Sequence, residues 1–429
     1  MTRIRSRAAA VALAAAAAPA LNACHDLTSL SQTAPSRVVA DQLYVPANAP
    51  LLLNSAIGDY ECALTNYIVA AGLVGDELDD AQLLAVGWDY DRRTISSPLT
   101  YYASTACGAV QVPGLYTPIS VARYDGDRLA KALQGWTDAQ VPGRQGLLAQ
   151  AQAYAGYSLV LLGEGMCTAA IDLGPELSRA QLDSIAEDRF TAAIAAATAA
   201  ADTATLNMAR VGRARARLDQ NKMALALADA ALVPDGFVKN ATYSAVNARR
   251  ENLVYTQTYR GNYSTVDSTF RHVTWNGAPD PRVAVDSTGQ VGQDQQTPIF
   301  RPAKYPTIST PIPIASWREA RLIVAEASLA AGDVTTAVAA INALHAAAGI
   351  SPYAGGTAAQ VLAQVQEERR RELFLEGQRL NDMIRFKVPL VPAPGTPFPV
   401  KGGAYGSQLC FPLPDLERNN NPNLNGTHS

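Results

Sequence analysis

The chain has 429 residues, of which 48% are hydrophobic, and a chain of this length can bury a large core. Its 35 basic and 38 acidic residues give a net charge of −3, and this weakly acidic balance argues against a nucleic-acid partner, which needs a basic face. The five cysteines include no CxxC pair and the four histidines are scattered, so the sequence predicts neither a zinc-type metal site nor a cofactor.

Residues 1–23 have the pattern of a secretory signal peptide. Three arginines precede a short alanine-rich apolar run, and small residues follow it, up to Cys24. This end resembles a bacterial lipobox, in which Cys24 would become the lipid-bearing first residue; the alternative is an ordinary signal cleavage with Cys24 incidental. Residues 24–50 are polar and interrupted by proline, and we expect a tether between the lipid and the folded body. No later stretch is long and apolar enough to cross a bilayer, so the lipid would be the only anchor.

Residues 51–235 form the predicted N-terminal helical region. Apolar residues recur at helical spacing over 51–74, and helical hairpins rich in alanine follow around 147–201 and 206–233. Small residues at such spacing allow two helices to approach closely, as in tetratricopeptide-like hairpins. The predicted fold class is therefore all-α, built from tetratricopeptide-like hairpins, with a loop-rich and partly irregular insertion at 236–316.

Aromatic residues in polar, irregular segments suggest a ligand-binding surface. A sugar ring offers an apolar face to a flat aromatic ring and hydroxyl groups to amide and charged side chains. Each of these aromatic residues alone is more often part of a core. As two clusters in separate loops, they are the predicted ligand-binding residues: Trp88, Asp89, Tyr90 and Arg92 in the first, and Tyr259, Asn262, Tyr263 and Trp275 in the insertion.

Residues 317–386 form the predicted C-terminal helical region. Gly332 and Gly349 end two predicted helices and Asp333 begins the second, which makes a hairpin. A single charged helix is predicted over 365–386. Arg369 and Glu376 lie on its apolar face, where each should have a fixed partner, and the glycine at 377 indicates close packing of another element. We expect Glu367, Arg370 and Arg371 to face water. The proline- and glycine-rich residues 387–429 are expected to form a tail packed on the body.

Four further cysteines, Cys62, Cys107, Cys167 and Cys410, are an even number in a chain with an export signal. This predicts two disulfide bonds in an oxidising compartment. Four cysteines allow three pairings, and we favour Cys62–Cys107 with Cys167–Cys410.

The C-terminal helical region resembles a known family. The segments WREARLIVAEASLAAGDVTTAVAAINALHAAAGI and ERRRELFLEGQRLNDMIRF are similar to the C-terminal signature of SusD-like (RagB/SusD) outer-membrane nutrient-uptake proteins. His345 and Asn381 depart from residues common in the family. The resemblance implies a helical cell-surface lipoprotein of the outer membrane that captures oligosaccharides, or peptides in some branches, as a lid on a SusC-like TonB-dependent transporter. Ligand-contacting positions vary within the family, so none is transferred.

The sequence has no recognisable catalytic motif: it contains no GxSxG, no HExxH and no phosphate-binding glycine loop. We therefore predict a binding protein and not an enzyme. The runner-up is a surface glycoside hydrolase, for which the acidic cluster of residues 76–80 is the only candidate acid and base. That cluster could also hold calcium, but we interpret it as solvated loop charge or helix capping. A scaffold that binds only protein is the third possibility.

Overall fold

A computed structural model describes residues 40–108 and 111–424 of the chain. The predicted signal peptide, Cys24 and the tether up to residue 39 lie outside the described residues. The chain divides into a short unit that ends at Val45, whose described part contains the helix α1, and a second unit that begins at Pro46. Within the described residues, no helix combines the length and apolar character needed to span a bilayer.

Helices make up most of the second unit. They are α2 Ala49–Val74, α3 Ala85–Asp91, α4 Thr100–Ser104, α5 Tyr116–Gly135, α6 Arg144–Gly165, α7 Arg179–Ala199, α8 Thr203–Asp219, α9 Met223–Ala230, α10 Leu253–Tyr255, α11 Trp317–Ala330, α12 Val334–Ala348, α13 Ala358–Glu372, α14 Arg379–Phe386 and α15 Asp415–Asn420; α1 of the first unit is Ala40–Leu43. Shorter 3₁₀ turns span Pro46–Asn48, Ala248–Arg250, Ser268–Phe270 and Pro281–Val283, and Thr256–Arg260 is a π-turn.

Helices α5 to α9 pack each against the next in chain order, and the long buried helix α2 lies against α5 and α6. Small residues make this close packing possible. The ring of Phe190 on α7 fills the space beside Gly156 on α6 and Gly212 on α8, where an added Cβ would come within 2.8 and 2.4 Å of the ring. The fold is therefore all-α with stacked helical hairpins, as the sequence predicted.

The strands are short and form separate two-stranded antiparallel pairs. The pairs are β1 Leu78–Asp80 with β5 Ser264–Val266, β2 Thr168–Ala169 with β3 Leu177–Ser178, β4 Val238–Ala241 with β10 Ile312–Ser316, β6 Thr274–Trp275 with β7 Ala278–Pro279, and β8 Val285–Val291 with β9 Pro298–Pro302. Most of these strands lie between residues 238 and 316, where the longest α-helix has three residues.

The hairpin of α11 and α12 begins and ends at the predicted residues. The side chain of Asp333 accepts the backbone N–H of Thr336 at 2.9 Å and caps α12. Gly332 and Gly349 adopt φ of 82° and 68°, the left-handed conformation that ends a helix and that glycine takes without strain.

The prediction of one helix over 365–386 is wrong. Helix α13 ends at Glu372 and α14 begins at Arg379, because Leu375 and Gly377 adopt φ of 53° and 85°. The close packing expected at Gly377 is present: an added Cβ would lie 3.1 Å from the ring of Tyr67 on α2. The break lets α14 turn back and pack against α2.

Arg369 and Glu376 each have the fixed partner that their position required. Arg369 is buried and donates from Nε to Asp382 at 2.8 Å, and the carboxylate of Glu376 accepts from Lys304 Nζ at 2.6 Å. Arg370 and Arg371, in contrast, do not face open water. Both pair with the carboxylate of Glu367, and Arg371 also reaches Asp280 at 3.1 Å.

A second ionic cluster lies in the helical core between α6, α7, α8 and α11. Arg215 donates from Nε and Nη2 to the two carboxylate oxygens of Glu319 at 2.5 and 2.8 Å, and both side chains are buried. Glu164 and Asp183 lie nearby, and each carries one buried oxygen without a hydrogen bond inside the described ranges. Burial raises the pKa of both carboxyls well above the usual range.

The structure joins Cys62 to Cys107 and Cys167 to Cys410, the pairing favoured from the sequence. The second bond fastens the tail to the end of α6. Beside it, the backbone N–H of Cys167 donates to the carbonyl of Phe411 at 2.8 Å. The tail also reaches the segment after α3, where the N–H of Gly406 donates to the carbonyl of Arg92 at 2.7 Å.

Candidate ligand-binding surface

Residues 81–92, called here the Trp88 loop, contain α3 and the first predicted aromatic cluster. Trp88 is partly exposed, and its indole Nε1 donates to the carbonyl of Gln82 at 3.2 Å, which fixes the ring against its own loop. Leu83 and Leu84, just before it, are 65% and 43% exposed. The loop therefore presents an indole and two uncovered apolar side chains together.

Tyr90 is a core residue, and the prediction that it contacts a ligand is wrong. Its side chain is 1% exposed, its hydroxyl donates to the carbonyl of Pro113 at 3.0 Å, and its ring meets that of Phe411 edge-on at 5.2 Å. Asp89 and Arg92 remain at the surface and pair with each other at 2.8 Å. Within one short helix, Trp88 and Asp89 are thus partly exposed, whereas Tyr90 and Asp91 are buried.

The interpretation of the acidic cluster of residues 76–80 as solvated loop charge is wrong, because Glu77 and Asp80 are buried and the carboxylates are paired. Asp76 pairs with Arg93 at 2.6 Å, Glu77 accepts the backbone N–H of Leu375 at 2.7 Å, and Asp80 accepts from Lys401 Nζ at 2.6 Å. Burial raises the pKa of Asp76 and of Glu77 to about 7. These carboxylates hold residues 76–80 onto the tail and the C-terminal region, and most of their oxygens have a partner.

A cavity of about 200 Å³ adjoins this cluster and is lined by Asp79, Asp80, Asp91, Asp267 and Lys401 with residues of the tail. The Lys401 ammonium lies between Asp80 at 2.6 Å and Asp294 at 3.4 Å. Over the described residues, no group of histidine, cysteine and acidic side chains has an arrangement that could hold a metal ion.

The second predicted cluster lies in residues 259–263, called here the Tyr263 turn. The ring of Tyr259 stacks on that of Tyr255, with the ring centroids 5.1 Å apart. The guanidinium of Arg301 lies 5.1 Å from the centroid of the Tyr259 ring. Arg301 also donates to Asn262 Oδ1 at 3.1 Å. Tyr263 is partly exposed and its ring lies over Gly261, where an added Cβ would come within 2.1 Å. Only glycine at 261 permits this position of the Tyr263 ring.

The pair of β1 and β5 brings the Trp88 loop and the Tyr263 turn together. Asp80 at the end of β1 is opposite Ser264 at the start of β5, and the next N–H, of Ala81, donates to the carbonyl of Tyr263 at 2.8 Å. The two clusters, far apart in sequence, therefore leave the same end of one strand pair. The backbones of the two segments are therefore neighbours at this end.

Trp275 is not part of this surface. Its indole Nε1 donates to the carbonyl of Ser351 at 2.7 Å, and its ring meets His345 edge-on at 4.6 Å. His345 is itself buried and hydrogen-bonded to Glu368 at 2.8 Å. Trp275 thus packs the insertion onto helices α12 and α13.

Three further residues belong to this candidate surface and were not predicted from the sequence. Leu83 and Leu84 are uncovered apolar neighbours of Trp88, and Arg301 orders both Tyr259 and Asn262. The two leucines could have been identified from the sequence, because they are close to a tryptophan in a predicted loop. Nothing local distinguishes Arg301, because its role depends on the pairing of β8 with β9 beside the turn.

Residues 319–427 match the SusD family. The fold is similar to that of solved structures over most of both chains. A SusD superfamily protein from Parabacteroides distasonis is 13% identical, with a TM-score of 0.67 over 90% of this chain and 98% of that one. A SusD-like carbohydrate binding protein from Bacteroides vulgatus is 17% identical, with a TM-score of 0.65 over 89% and 97%. A search of curated protein sequences found no match. The C-terminal part of the chain thus matches the SusD family, and the fold over most of the chain is similar to that of solved SusD superfamily proteins.

Proposed function

We propose that this chain binds an oligosaccharide at the surface formed by the Trp88 loop and the Tyr263 turn, and that it binds without cleaving it. The observation that supports this proposal is the hydrogen bond between Ala81 and Tyr263, which joins the backbones of the two segments that carry the aromatic clusters. Partly exposed indole and phenol rings offer flat apolar faces to sugar rings. Side chains such as Asn262 and Arg92 offer hydrogen bonds to the hydroxyl groups around them.

Two further points support a glycan. The structural neighbours include a protein from Bacteroides vulgatus described as SusD-like and carbohydrate binding. In addition, two acidic residues of the cluster that a hydrolase would use have protein partners: Glu77 accepts a backbone N–H and Asp80 accepts from a lysine. A surface that combines stacking rings with engaged carboxylates is suited to retention of a sugar and not to its hydrolysis.

The same proposal includes the cellular setting. Cys24 would carry the lipid that holds the chain on the outer membrane, and a SusC-like TonB-dependent transporter would receive the ligand, as the family resemblance implies. Replacing Cys24 by serine should move the protein from the membrane fraction to the soluble fraction. A Cys24→Ser protein that stays membrane-bound and acylated would contradict the anchor, and absence of a transporter from gentle detergent co-purification would contradict the partner.

The binding surface is tested with a panel of neutral oligosaccharides and, in parallel, short peptides, by titration calorimetry. Trp88→Ala and Tyr263→Ala should each weaken glycan binding by at least about 1 kcal/mol, because each removes a stacking face. Trp88→Phe, which keeps a flat ring, should lose less.

Tyr124→Ala is the matched control, since Tyr124 is a 44% exposed tyrosine on α5 and belongs to neither cluster. Trp275→Ala should lower stability and leave glycan affinity unchanged. Normal binding by both surface variants would show that the site lies elsewhere. Retention of peptides only, or release of shorter sugars during incubation, would overturn the glycan-binding assignment.

A further inference from the structure

A separate cleft of about 510 Å³ lies between the strand-rich insertion and the C-terminal helices. It contains no residue of the Trp88 loop or the Tyr263 turn. Strands β4 and β10, the segments beside β8 and β9, and the ends of α12 and α13 surround it. Its lining combines small apolar residues with five charged ones, which are Arg282, Lys304, Arg318, Glu372 and Glu376.

In two of the three cations in the cleft, every side-chain nitrogen that can donate has a partner in the protein. Arg282 donates to both oxygens of Asp280 and from Nη1 to Glu368 and Glu372. The ammonium of Lys304 has three acceptors: Glu376 at 2.6 Å and the carbonyls of residues 374 and 372 at 2.9 and 3.4 Å. A lysine ammonium has three donors, so no donor of Lys304 is left for a ligand.

Arg318 is different, because it uses only one of its nitrogens. Its Nη1 donates to Glu372 at 2.5 Å, while Nε and Nη2 have no hydrogen-bond partner in the part of the chain that the structure describes. The side chain is 35% exposed, and its guanidinium lies 5.2 Å from the centroid of the Trp317 ring, which holds it in place. Arg318 therefore presents an ordered guanidinium edge with unused donors to the cleft.

The walls of the cleft exclude recognition by stacking. Their uncharged residues are alanines, prolines, Val238 and Ser316, and no aromatic residue lines the cavity among those described. A ligand here meets short apolar side chains around a charged floor. Recognition must then come from charge and hydrogen bonds, and the guanidinium fork matches a carboxylate with two parallel N–H donors.

We propose that this cleft is a second binding site, specific for a small molecule that carries a carboxylate, and that Arg318 is the residue that binds the carboxylate. The second oxygen of Glu376, which has no hydrogen bond to the described residues, accepts a hydroxyl or ammonium proton from the same ligand. Two sources share this chemistry: the C-terminus of a short peptide and a uronic acid unit of a glycan. This site stands apart from the proposed oligosaccharide surface and does not depend on it.

The test is titration calorimetry of the full-length mature protein with four probes. Glycylalanine and glucuronic acid carry the carboxylate, and glycylalanine amide and glucose are their partners without it. We expect a carboxylate probe to bind and its neutral partner to bind at least about tenfold more weakly, because hydrogen bonds to a charged group are worth that much. The tighter of the two carboxylate probes identifies the source.

Arg318→Gln should weaken the carboxylate probe about tenfold or more. Arg321→Gln is the matched control, because Arg321 is on the same helix but pairs with Asp235 outside the cleft. Ala348→Leu should also abolish binding, because the larger side chain fills the cleft without changing any charge. This variant tests the proposal by itself if Arg318→Gln does not fold. Trp88→Ala should bind the probe normally. The proposal is overturned if neither carboxylate probe binds the unmodified protein, or if Arg318→Gln and Ala348→Leu bind as well as it does.

Discussion

The buried pair of Arg215 and Glu319 allows a quantitative test of what holds helices α8 and α11 together. Two charge-assisted hydrogen bonds join them, each worth about 1.5–3 kcal/mol, so Arg215→Met should lose about 3–6 kcal/mol. Measured losses for breaking one side of a buried ion pair are about 3–5 kcal/mol, in the same range. The loss arises mainly because the Glu319 carboxylate stays buried without its counter-charge.

The double variant Arg215→Met with Glu319→Leu separates this effect from simple loss of contacts. Replacing both charges by apolar groups of similar size removes the desolvation penalty, so the double variant should be about as stable as the original chain, or more stable by about 1–4 kcal/mol. The assay is denaturant unfolding followed by far-UV circular dichroism, with the free energy of unfolding extrapolated to water.

Arg249→Met provides the surface control. Arg249 also pairs with a carboxylate, that of Asp59, but its side chain is 55% exposed, and we expect a loss below about 1 kcal/mol. The reasoning would be refuted if Arg215→Met lost no more than this control. It would also be refuted if the double variant were less stable than Arg215→Met.

Three other predictions concern stability. Burial raises the pKa of Asp183 well above its unfolded value, so the folded protein binds more protons and its stability falls as pH rises above about 4. Asp183→Asn should make stability depend less on pH in thermal melts over a pH series. An unchanged pH dependence would contradict this prediction. Gly377→Ala should cost at least about 1–2 kcal/mol, because alanine resists the left-handed conformation and its Cβ meets Tyr67; a neutral result in denaturant unfolding would contradict the packing. Replacing Cys167 and Cys410 by serine should cost roughly 2–4 kcal/mol, and thiol counting in denaturant without reductant should find no free thiol in the unmodified protein at either position.

The helical hairpins could be predicted because their signals are local. Gly332, Asp333 and Gly349 act through their own backbone conformation and through hydrogen bonds within four residues. The break between α13 and α14 could not be predicted in this way. Leu375 takes a positive φ that leucine disfavours, and the reason is tertiary, since the turn fits against Tyr67 on a helix some 300 residues earlier in the chain.

The candidate site was only partly predictable for a related reason. Composition identified Trp88 and Tyr263 as candidates, but the β1–β5 pairing that makes them neighbours leaves no periodic pattern in strands of three residues. Trp88 and Tyr90 occur in the same polar sequence context, yet one is partly exposed and the other is buried. The burial of the acidic cluster depends on Lys401, which approaches Asp80 from 321 residues further along the chain.

The two disulfide bonds have a mechanical consequence. They close separate rings, residues 62–107 and 167–410, that do not overlap in sequence. If the two ends of the chain are pulled apart, tension passes across each sulfur–sulfur bond and bypasses the chain inside the ring. Trp88 lies in the first ring, and the Tyr263 turn and the Arg318 cleft lie in the second. Even a chain unravelled from its ends would keep these segments free of load, so that they could refold once the force is removed. Helices α5 and α6, which lie between the rings, would instead be drawn out.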